Sequence, residues 1–441
     1  MKIKNNSFFF QSFHALLTKG GVFLLVFAAG VLSARILGAE GKGIVALFIA
    51  ISTMVIPLGD FGVKQSTAYL LGNKHFKEKE VLANLKALYY VTSFLCLFIM
   101  VLIYEGMDIF QTYGYAIPLV FLSIIPVTLY ERYAQGFLIA KKQIERINYL
   151  SLAERFSTLV LLIGLIGVLQ WGVLGVGISF LIAKVLVFLL IIVWVGKFFH
   201  VKAKVDFLIS KKTLQMGFVF SLALFIIQLH YRVDMIMLER LQNDTSLGIY
   251  SVGVNVCELL KEIPLSLGLV LFSRSTNWSI YDVKHSIEKT TFLARISFTI
   301  LFLGAFLLAG LSGWAIPFLY GNEFYNSTLV IYWLLPGMVI LDVFLILNLF
   351  VAGQGKPQYS LYAFLPSLLL NVILNYFLIP QYDYLGAAVG STISYTFATI
   401  LYIWIVSRVY PMSIKDLFIV NRKDVQYLLE NINFSKKTVT L

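Results

Sequence analysis

A dozen apolar stretches, each long enough to cross a lipid bilayer, recur along the 441-residue chain and are joined by short loops. A hydrocarbon core about 30 Å thick needs roughly 20 consecutive apolar residues at about 1.5 Å of rise each. Such stretches run near 14–37, 44–64, 83–104, 114–138, 151–170, 173–196, 213–238, 247–272, 292–312, 327–350, 359–379 and 385–408, and a polar tail, 411–441, follows. With 59% hydrophobic residues, 13% charged residues and a mean hydropathy of +0.84, too little polar surface remains for a soluble domain on a single anchor. The fold class is all-α integral membrane, with about twelve transmembrane helices. The first stretch is far longer than a signal-peptide core and lacks a small-residue cleavage pattern, so it is expected to stay as the first span.

Lysine and arginine crowd onto alternate connections. Lys74, Lys77 and Lys79, then Lys141, Lys142 and Arg146, then Lys197, Lys202, Lys204, Lys211 and Lys212 share one side, with Lys284, Lys289, Lys356 and the tail. The intervening loops, around Glu105–Asp108, Gln170–Gly172, Gly321–Glu323 and Gln381–Asp383, hold neither residue, and only Lys42 and Arg240 interrupt the rule. Short cytoplasmic loops retain positive charge, so both termini are expected to be cytoplasmic. The net charge of +12 is spread over these turns and forms no basic domain, which excludes a nucleic-acid partner. Cys96 and Cys257 both fall inside expected spans and imply no disulfide framework.

The chain reads as two copies of one unit. Arg35-Ile36-Leu37-Gly38 follows the first span with Gly43 eight residues after Arg35; Arg240-Leu241 follows the seventh with Gly248 eight residues after Arg240. Phe137-Leu138-Ile139-Ala140 corresponds to Phe350-Val351-Ala352, and Leu174-Gly175 to Leu385-Gly386. Six spans per copy make the repeats parallel, related by an axis along the membrane normal. The expected layout is an N-lobe at 1–200, a linker at 201–212, a C-lobe at 213–410 and the tail at 411–441, with a central cavity between two six-helix lobes. Within the tail, Leu417–Leu429 reads either as a short amphipathic helix on the inner leaflet or as a disordered segment.

Charges within spans cost at least about 2.5–3.5 kcal/mol at the bilayer centre and normally face a cavity or a partner. Asp60 and Lys64, four apart, have the geometry of an intrahelical ion pair. Arg232 and Asp234, two apart, point to different faces of the seventh span. Glu258, Lys261 and Glu262 form one polar stripe in the eighth, followed by Pro264; Pro264 and Pro57 are candidate hinges, since proline removes a backbone donor. Lys184 lies too deep to snorkel and has no acid one turn away; Asp342, midway along the tenth span, is its candidate partner in a buried pair. Lys19, Glu131, Arg132, Glu154, Arg155 and Arg274 near helix ends read as snorkelling or leaflet-facing charges. His14 and His230 are isolated and no cluster has metal spacing, so no metal ligand is assigned. No Walker-type loop occurs, so ATP is not the direct energy source.

The chain resembles the Wzx-type polysaccharide-biosynthesis or O-antigen flippases of the multidrug/oligosaccharidyl-lipid/polysaccharide exporter superfamily. The carriers are Ala34-Arg35-Ile36-Leu37-Gly38-Ala39-Glu40-Gly41-Lys42-Gly43, Gly59-Asp60-Phe61-Gly62, Tyr231-Arg232-Val233-Asp234 and Gly248-Ile249-Tyr250. Later come Gly353-Gln354-Gly355-Lys356 and the run from Asn371 to Pro380, which leads into Leu385-Gly386-Ala387-Ala388. The order and spacing of the set carry the resemblance over nearly all spans. It implies a V-shaped pair of lobes working by alternating access, with the first, second, seventh and eighth helices lining the cavity. The implied cargo is an undecaprenyl-pyrophosphate-linked oligosaccharide, moved from the inner to the outer face of the bacterial cytoplasmic membrane for O-antigen, capsule or other surface polysaccharide. Arg35, Lys64, Arg232 and Lys261 would contact the anionic headgroup, while Asp60, Asp234, Glu258 and Glu262 would tune those charges or carry a coupling ion. No cofactor is expected beyond coupling to a proton or sodium gradient. Membrane lipids, a polysaccharide polymerase and a chain-length regulator are the expected partners. The alternatives are a cation-coupled multidrug exporter or lipid II flippase of the same superfamily, and a membrane polymerase or ligase, which the short outer loops disfavour.

Overall fold

The computed structural model describes residues 4–72, 76–141, 143–195, 204–265, 283–421 and Asp424. The regular elements there are helices: α1 (Lys4–Asp60), α2 (Val63–Gly72), α3 (Glu78–Gly106), α4 (Ile109–Tyr113), α5 (Ala116–Ala140), α6 (Ile144–Leu162) and α7 (Gly172–Val195). There follow α8 (Phe207–Leu241), α9 (Asp244–Glu258), α10 (Val283–Tyr320), α11 (Ser327–Gly353), α12 (Gln358–Tyr382), α13 (Tyr384–Val409) and α14 (Lys415–Phe418). Among the described residues, ten helices are long and apolar enough to cross a membrane. Their outward side chains are themselves apolar: Phe94 is 74% exposed, Val193 78% and Phe306 67%. In water such a surface would aggregate, whereas in hydrocarbon it meets a matching solvent. This is a multi-pass membrane protein.

The first element accounts for one of the two spans by which about twelve exceed ten helices, and the eighth span for the other. At 57 residues α1 would be about 85 Å long if continuous, nearly three times the hydrocarbon thickness. Its backbone leaves helical geometry at Gly38 (φ 68°, ψ −177°), dividing it into arms 4–37 and 39–60 that correspond to the first two spans. Positive φ suits a residue without Cβ. The interruption leaves the second arm with an uncapped start, and the Glu323 carboxylate fills that role by accepting from the Ala39 N–H at 3.1 Å. An anion at a helix N-terminus also complements the helix dipole. The eighth span begins as α9, passes into a 3₁₀ turn at Leu259–Lys261, and its end at 266–272, like Arg274, lies outside the described residues. The side chains of His14 and Lys19 likewise lie outside them.

The chain divides into two compact units, one of residues 1–251 with 319–323, the other of 252–318 with 324–441. In the first, Phe48 is fully buried, stacked on Phe121 at 4.8 Å and set edge-on to Tyr104 at 5.6 Å. The same unit accounts for the two cations that broke the loop-charge rule. Lys42 is buried and donates to Ser33 Oγ at 3.0 Å across the Gly38 break; Arg240 donates to the Gly106 carbonyl at 2.9 Å and lies 3.9 Å from Asp108. Each serves a helix junction and is no free loop charge.

The repeat motif is itself a packing device. Gly43 lies so close to the Asp244 carbonyl, and Gly248 to the Ala39 carbonyl, that neither position has room for a Cβ. Ala39 and Asp244 are 205 residues apart, as are Gly43 and Gly248, so the two contacts exchange when each residue is replaced by its repeat equivalent. A pseudo-twofold relation between parallel repeats requires this reciprocity. Close backbone approach is also how helices associate where no hydrophobic effect separates them from lipid.

In the second unit, Gly337 sits against Thr392 and Gly386 against Leu378, letting α11, α12 and α13 pack closely. Buried Asn371 and Asn375 are joined at 2.9 Å, and Asn371 reaches Ser394 Oγ at 2.9 Å. The described start of the tail, 411–421 with Asp424, is docked on α10. Lys415–Phe418 forms a helical turn, Leu417 is fully buried, and Phe418 meets Phe298 edge-on at 5.0 Å. Arg295 on α10 grips the Asp424 carboxylate with two donors and reaches the Asp416 carbonyl at 3.0 Å. Residues 422, 423 and 425–429 of the expected helix lie outside the described residues.

Burial acts to raise the Asp424 carboxyl, but hydrogen bonds from Arg295 and the Asn421 amide outweigh it and hold the group below its ordinary 3.8. A depressed carboxyl contributes stability above its unfolded value and loses it as pH falls through the folded one. Asp424→Asn is expected to weaken tail docking by about 2 kcal/mol at neutral pH. Hydrogen exchange over 411–421 should therefore be faster in the variant at pH 7, with the difference shrinking from pH 3.8 downward and lost once pH has fallen through the lower folded-state value.

Candidate functional site

The first unit gathers most of the intramembrane charge into one network. Lys184, on α7, lies 2.6 Å from Glu131 Oε2 and 3.0 Å from Glu154 Oε2. Glu131 Oε1 accepts from Gln135 Nε2 at 2.9 Å, and Gln135 Oε1 accepts from Lys64 Nζ at 2.8 Å. Arg155 lies 3.5 Å from the other oxygen of Glu154, and Arg132 lies 4.0 Å from Asp60. Four cations thus meet three carboxylates and one amide on five helices, with Glu131 and Glu154 both buried. Alternating signs let each charge lower the desolvation cost of the next.

This arrangement corrects two expectations. Asp60 and Lys64 do not sit on one unbroken helix, because Phe61 (φ 45°) and Gly62 (φ 64°) interrupt it. The Asp60 carboxylate instead accepts from the Lys64 backbone N–H at 3.4 Å, while the Lys64 amine turns to Gln135. Pro57 stays within α1, its carbonyl accepting from Ser221 Oγ at 2.6 Å, so the break falls after it. Gly62 packs directly on the Gly217 backbone, which fixes the turn. Lys184 finds its partners in Glu131 and Glu154, and the expected pairing with Asp342 is not what holds it; Asp342 accepts from Ser297 Oγ at 2.6 Å in the second unit.

Glu131 and Glu154, which the sequence places among snorkelling charges, are instead buried members of this network. Each opens a Glu-Arg dipeptide, but so do Glu145 and Glu239, so no sequence signal singles them out. The remaining candidates have their own surroundings. Arg35 is exposed, and Arg232 is half-buried on α8. Asp234 is buried and accepts from the Tyr250 hydroxyl at 2.5 Å and the Met235 amide at 2.7 Å. Lys261 is 3.1 Å from Glu258; the 3₁₀ turn, which eclipses residues three apart, brings them together. Glu262 is exposed and Pro264 is buried just beyond.

Residues 11–275 match the family model described as "Polysaccharide biosynthesis protein". The chain belongs to that family. No curated protein matches it by sequence. Among solved structures, it is similar to a multidrug resistance MATE family transporter of the MOP superfamily in its inward-facing conformation, at 16% identity and a TM-score of 0.71, covering 88% of this chain and 94% of that one. It is similar to the lipid II flippase MurJ in an inward closed conformation at 15% identity and a TM-score of 0.68, covering 92% and 89%. A third is a MOP superfamily transporter from Pyrococcus furiosus, described as having a binding pocket of reverse polarity, at 16% identity and a TM-score of 0.63, covering 90% and 93%. At these identities the likeness shows the fold: that of MOP superfamily transporters, whose solved members named here are transporters and a flippase.

The triad sets an order of tolerance. Lys184→Met leaves two buried carboxylates facing each other and is expected to cost about 3–5 kcal/mol. Glu131→Gln leaves the Lys184–Glu154 pair intact and is expected to cost about 1 kcal/mol. Thermal unfolding in detergent should rank wild type, Glu131→Gln and Lys184→Met in that order; equal losses would contradict the geometry.

Proposed function

We propose that this protein is a flippase that carries polyprenyl-pyrophosphate-linked oligosaccharide repeat units from the inner to the outer face of the bacterial cytoplasmic membrane by alternating access. The family match over residues 11–275 carries the reading, because it ties a transporter fold to polysaccharide assembly. The similarity to a lipid II flippase supports a lipid-linked cargo. The six-helix lobes at 1–200 and 213–410, and cytoplasmic termini set by the loop lysines, belong to the same reading.

The difficulty for such cargo is its charge. A pyrophosphate headgroup crosses the hydrocarbon region only where fixed cations and water replace bulk solvation, while the polyprenyl tail stays in lipid. Arg35, Lys64, Arg232 and Lys261 are the proposed contacts. Lys261 is held by Glu258 at 3.1 Å and Lys64 by Gln135 at 2.8 Å, so an arriving phosphate exchanges with a group already bonded to each lysine. That exchange keeps the unloaded protein free of uncompensated charge. Asp60, Asp234, Glu258 and Glu262 tune these cations, and Pro57 and Pro264 are the proposed flexing points. A polymerase and a chain-length regulator would receive the translocated unit.

A strain lacking the gene is expected to lose surface glycan and to accumulate intact repeat units on the inner face of the membrane. Arg232→Gln and Lys261→Gln, at wild-type abundance, should each restore less glycan than the wild-type gene. Unchanged glycan in the deletion strain, together with raised sensitivity to cationic drugs, would place the protein with the drug exporters instead.

A further inference from the structure

The acids singled out from the sequence for ion coupling are solvated by their surroundings. Asp60 has Arg132 and the Lys64 amide, Asp234 has the Tyr250 hydroxyl and the Met235 amide, Glu258 has Lys261, and Glu262 is exposed. Glu131 and Glu154 share Lys184. Asp342 differs from all of these. It is completely buried on α11, in the middle of an apolar run, and accepts one hydrogen bond, from Ser297 Oγ at 2.6 Å. Its second oxygen, Oδ2, is enclosed and has no hydrogen-bond partner, and Ser297 is itself fully buried.

The charged and titratable groups on the packed elements are directed elsewhere. On α10, Arg295 closes on Asp424, Glu288 is exposed and Lys289 lies near the end of the helix. On α13, the Tyr402 hydroxyl donates to Asn348, Arg408 stacks on Trp404, and Tyr395 is buried. On the 3₁₀ turn that also packs against α11, Lys261 is paired with Glu258. Among the described residues, no cation lies within ion-pair distance of Asp342.

An ionised carboxylate enclosed with one hydroxyl donor bears a desolvation cost that one hydrogen bond does not offset, so such a group takes up a proton instead. We propose that Asp342, with Ser297, is a proton-binding site of the second unit, neutral while enclosed and releasing its proton only when the packing between α10 and α11 admits water. Nothing else about the side chain explains an acid retained at this depth, since it joins no ion pair and caps no helix. An acid that alternates between enclosed and wetted states during transport couples proton movement to the cargo; this coupling rests on the flippase reading, whereas the site does not.

The test uses infrared difference spectroscopy of the purified full-length protein in lipid nanodiscs, which needs no cargo. A carbonyl stretch of a protonated carboxylic acid is expected at neutral pH, alike in sodium and choline buffers. It should vanish in Asp342→Asn and shift in frequency in Ser297→Ala, where the hydroxyl partner is gone. Absence of the band, its persistence in Asp342→Asn, or its suppression by sodium overturns the proton site. Asp342→Asn at wild-type abundance is further expected to lose most surface-glycan export in the deletion strain. Retained export alongside loss of the band would overturn the coupling and leave the site standing.

Discussion

Hydrocarbon supplies neither hydrogen bonds nor counter-ions, and nearly every departure from plain apolar helix in this protein is an answer to that lack. The network of Lys64, Gln135, Glu131, Lys184, Glu154 and Arg155 is the largest such answer, a chain of alternating polarity linking α2, α5, α6 and α7. The break at Gly38 is a smaller one, where the exposed amide of Ala39 is met by the Glu323 carboxylate and a buried lysine finds Ser33. Arg295 and Asp424 apply the same rule at the margin, fixing a polar tail to the end of a membrane helix.

The second organising element is close backbone approach. The reciprocal contacts of Gly43 with Asp244 and of Gly248 with Ala39 join equivalent points of the two repeats, and a side chain at either glycine would prevent them. This gives the Arg35–Gly43 and Arg240–Gly248 motifs a physical purpose that does not involve cargo. Both motif arginines are exposed, and Arg240 donates to the Gly106 carbonyl. Conformational change in such a fold redistributes contacts between rigid helices, and the residues that stay paired within one unit are its fixed points.

Much of this was legible in the sequence because hydrophobic length and loop charge are local properties. The spans, the repeat spacing and the membrane class all follow from stretches of about 20 residues read one at a time. The errors arose where the outcome depended on which helices adjoin. Lys184 has no acid on its own helix, and nothing along the chain says that α5 and α6 would each bring one to it. Asp60 and Lys64 have helical spacing, but the tight contact of Gly62 with Gly217 imposes a turn between them. Asp342 appeared as half of a pair because an acid in lipid suggests a cation; its actual partner is a serine hydroxyl, a residue type too common in membrane helices to stand out. Lys42 and Arg240 stand as exceptions to the charge rule in the sequence because neither the burial of Lys42 beside Ser33 nor the bond from Arg240 to the Gly106 carbonyl is a local property.

The most direct test of the account is translocation by the purified protein alone. Proteoliposomes would carry a labelled polyprenyl-pyrophosphate oligosaccharide, and an impermeant enzyme outside would report how much glycan is exposed over time. Protein-dependent movement of the glycan between leaflets, weakened in Arg232→Gln, is the predicted result. Static sidedness in vesicles where the same protein accumulates a cationic drug would contradict the central claim.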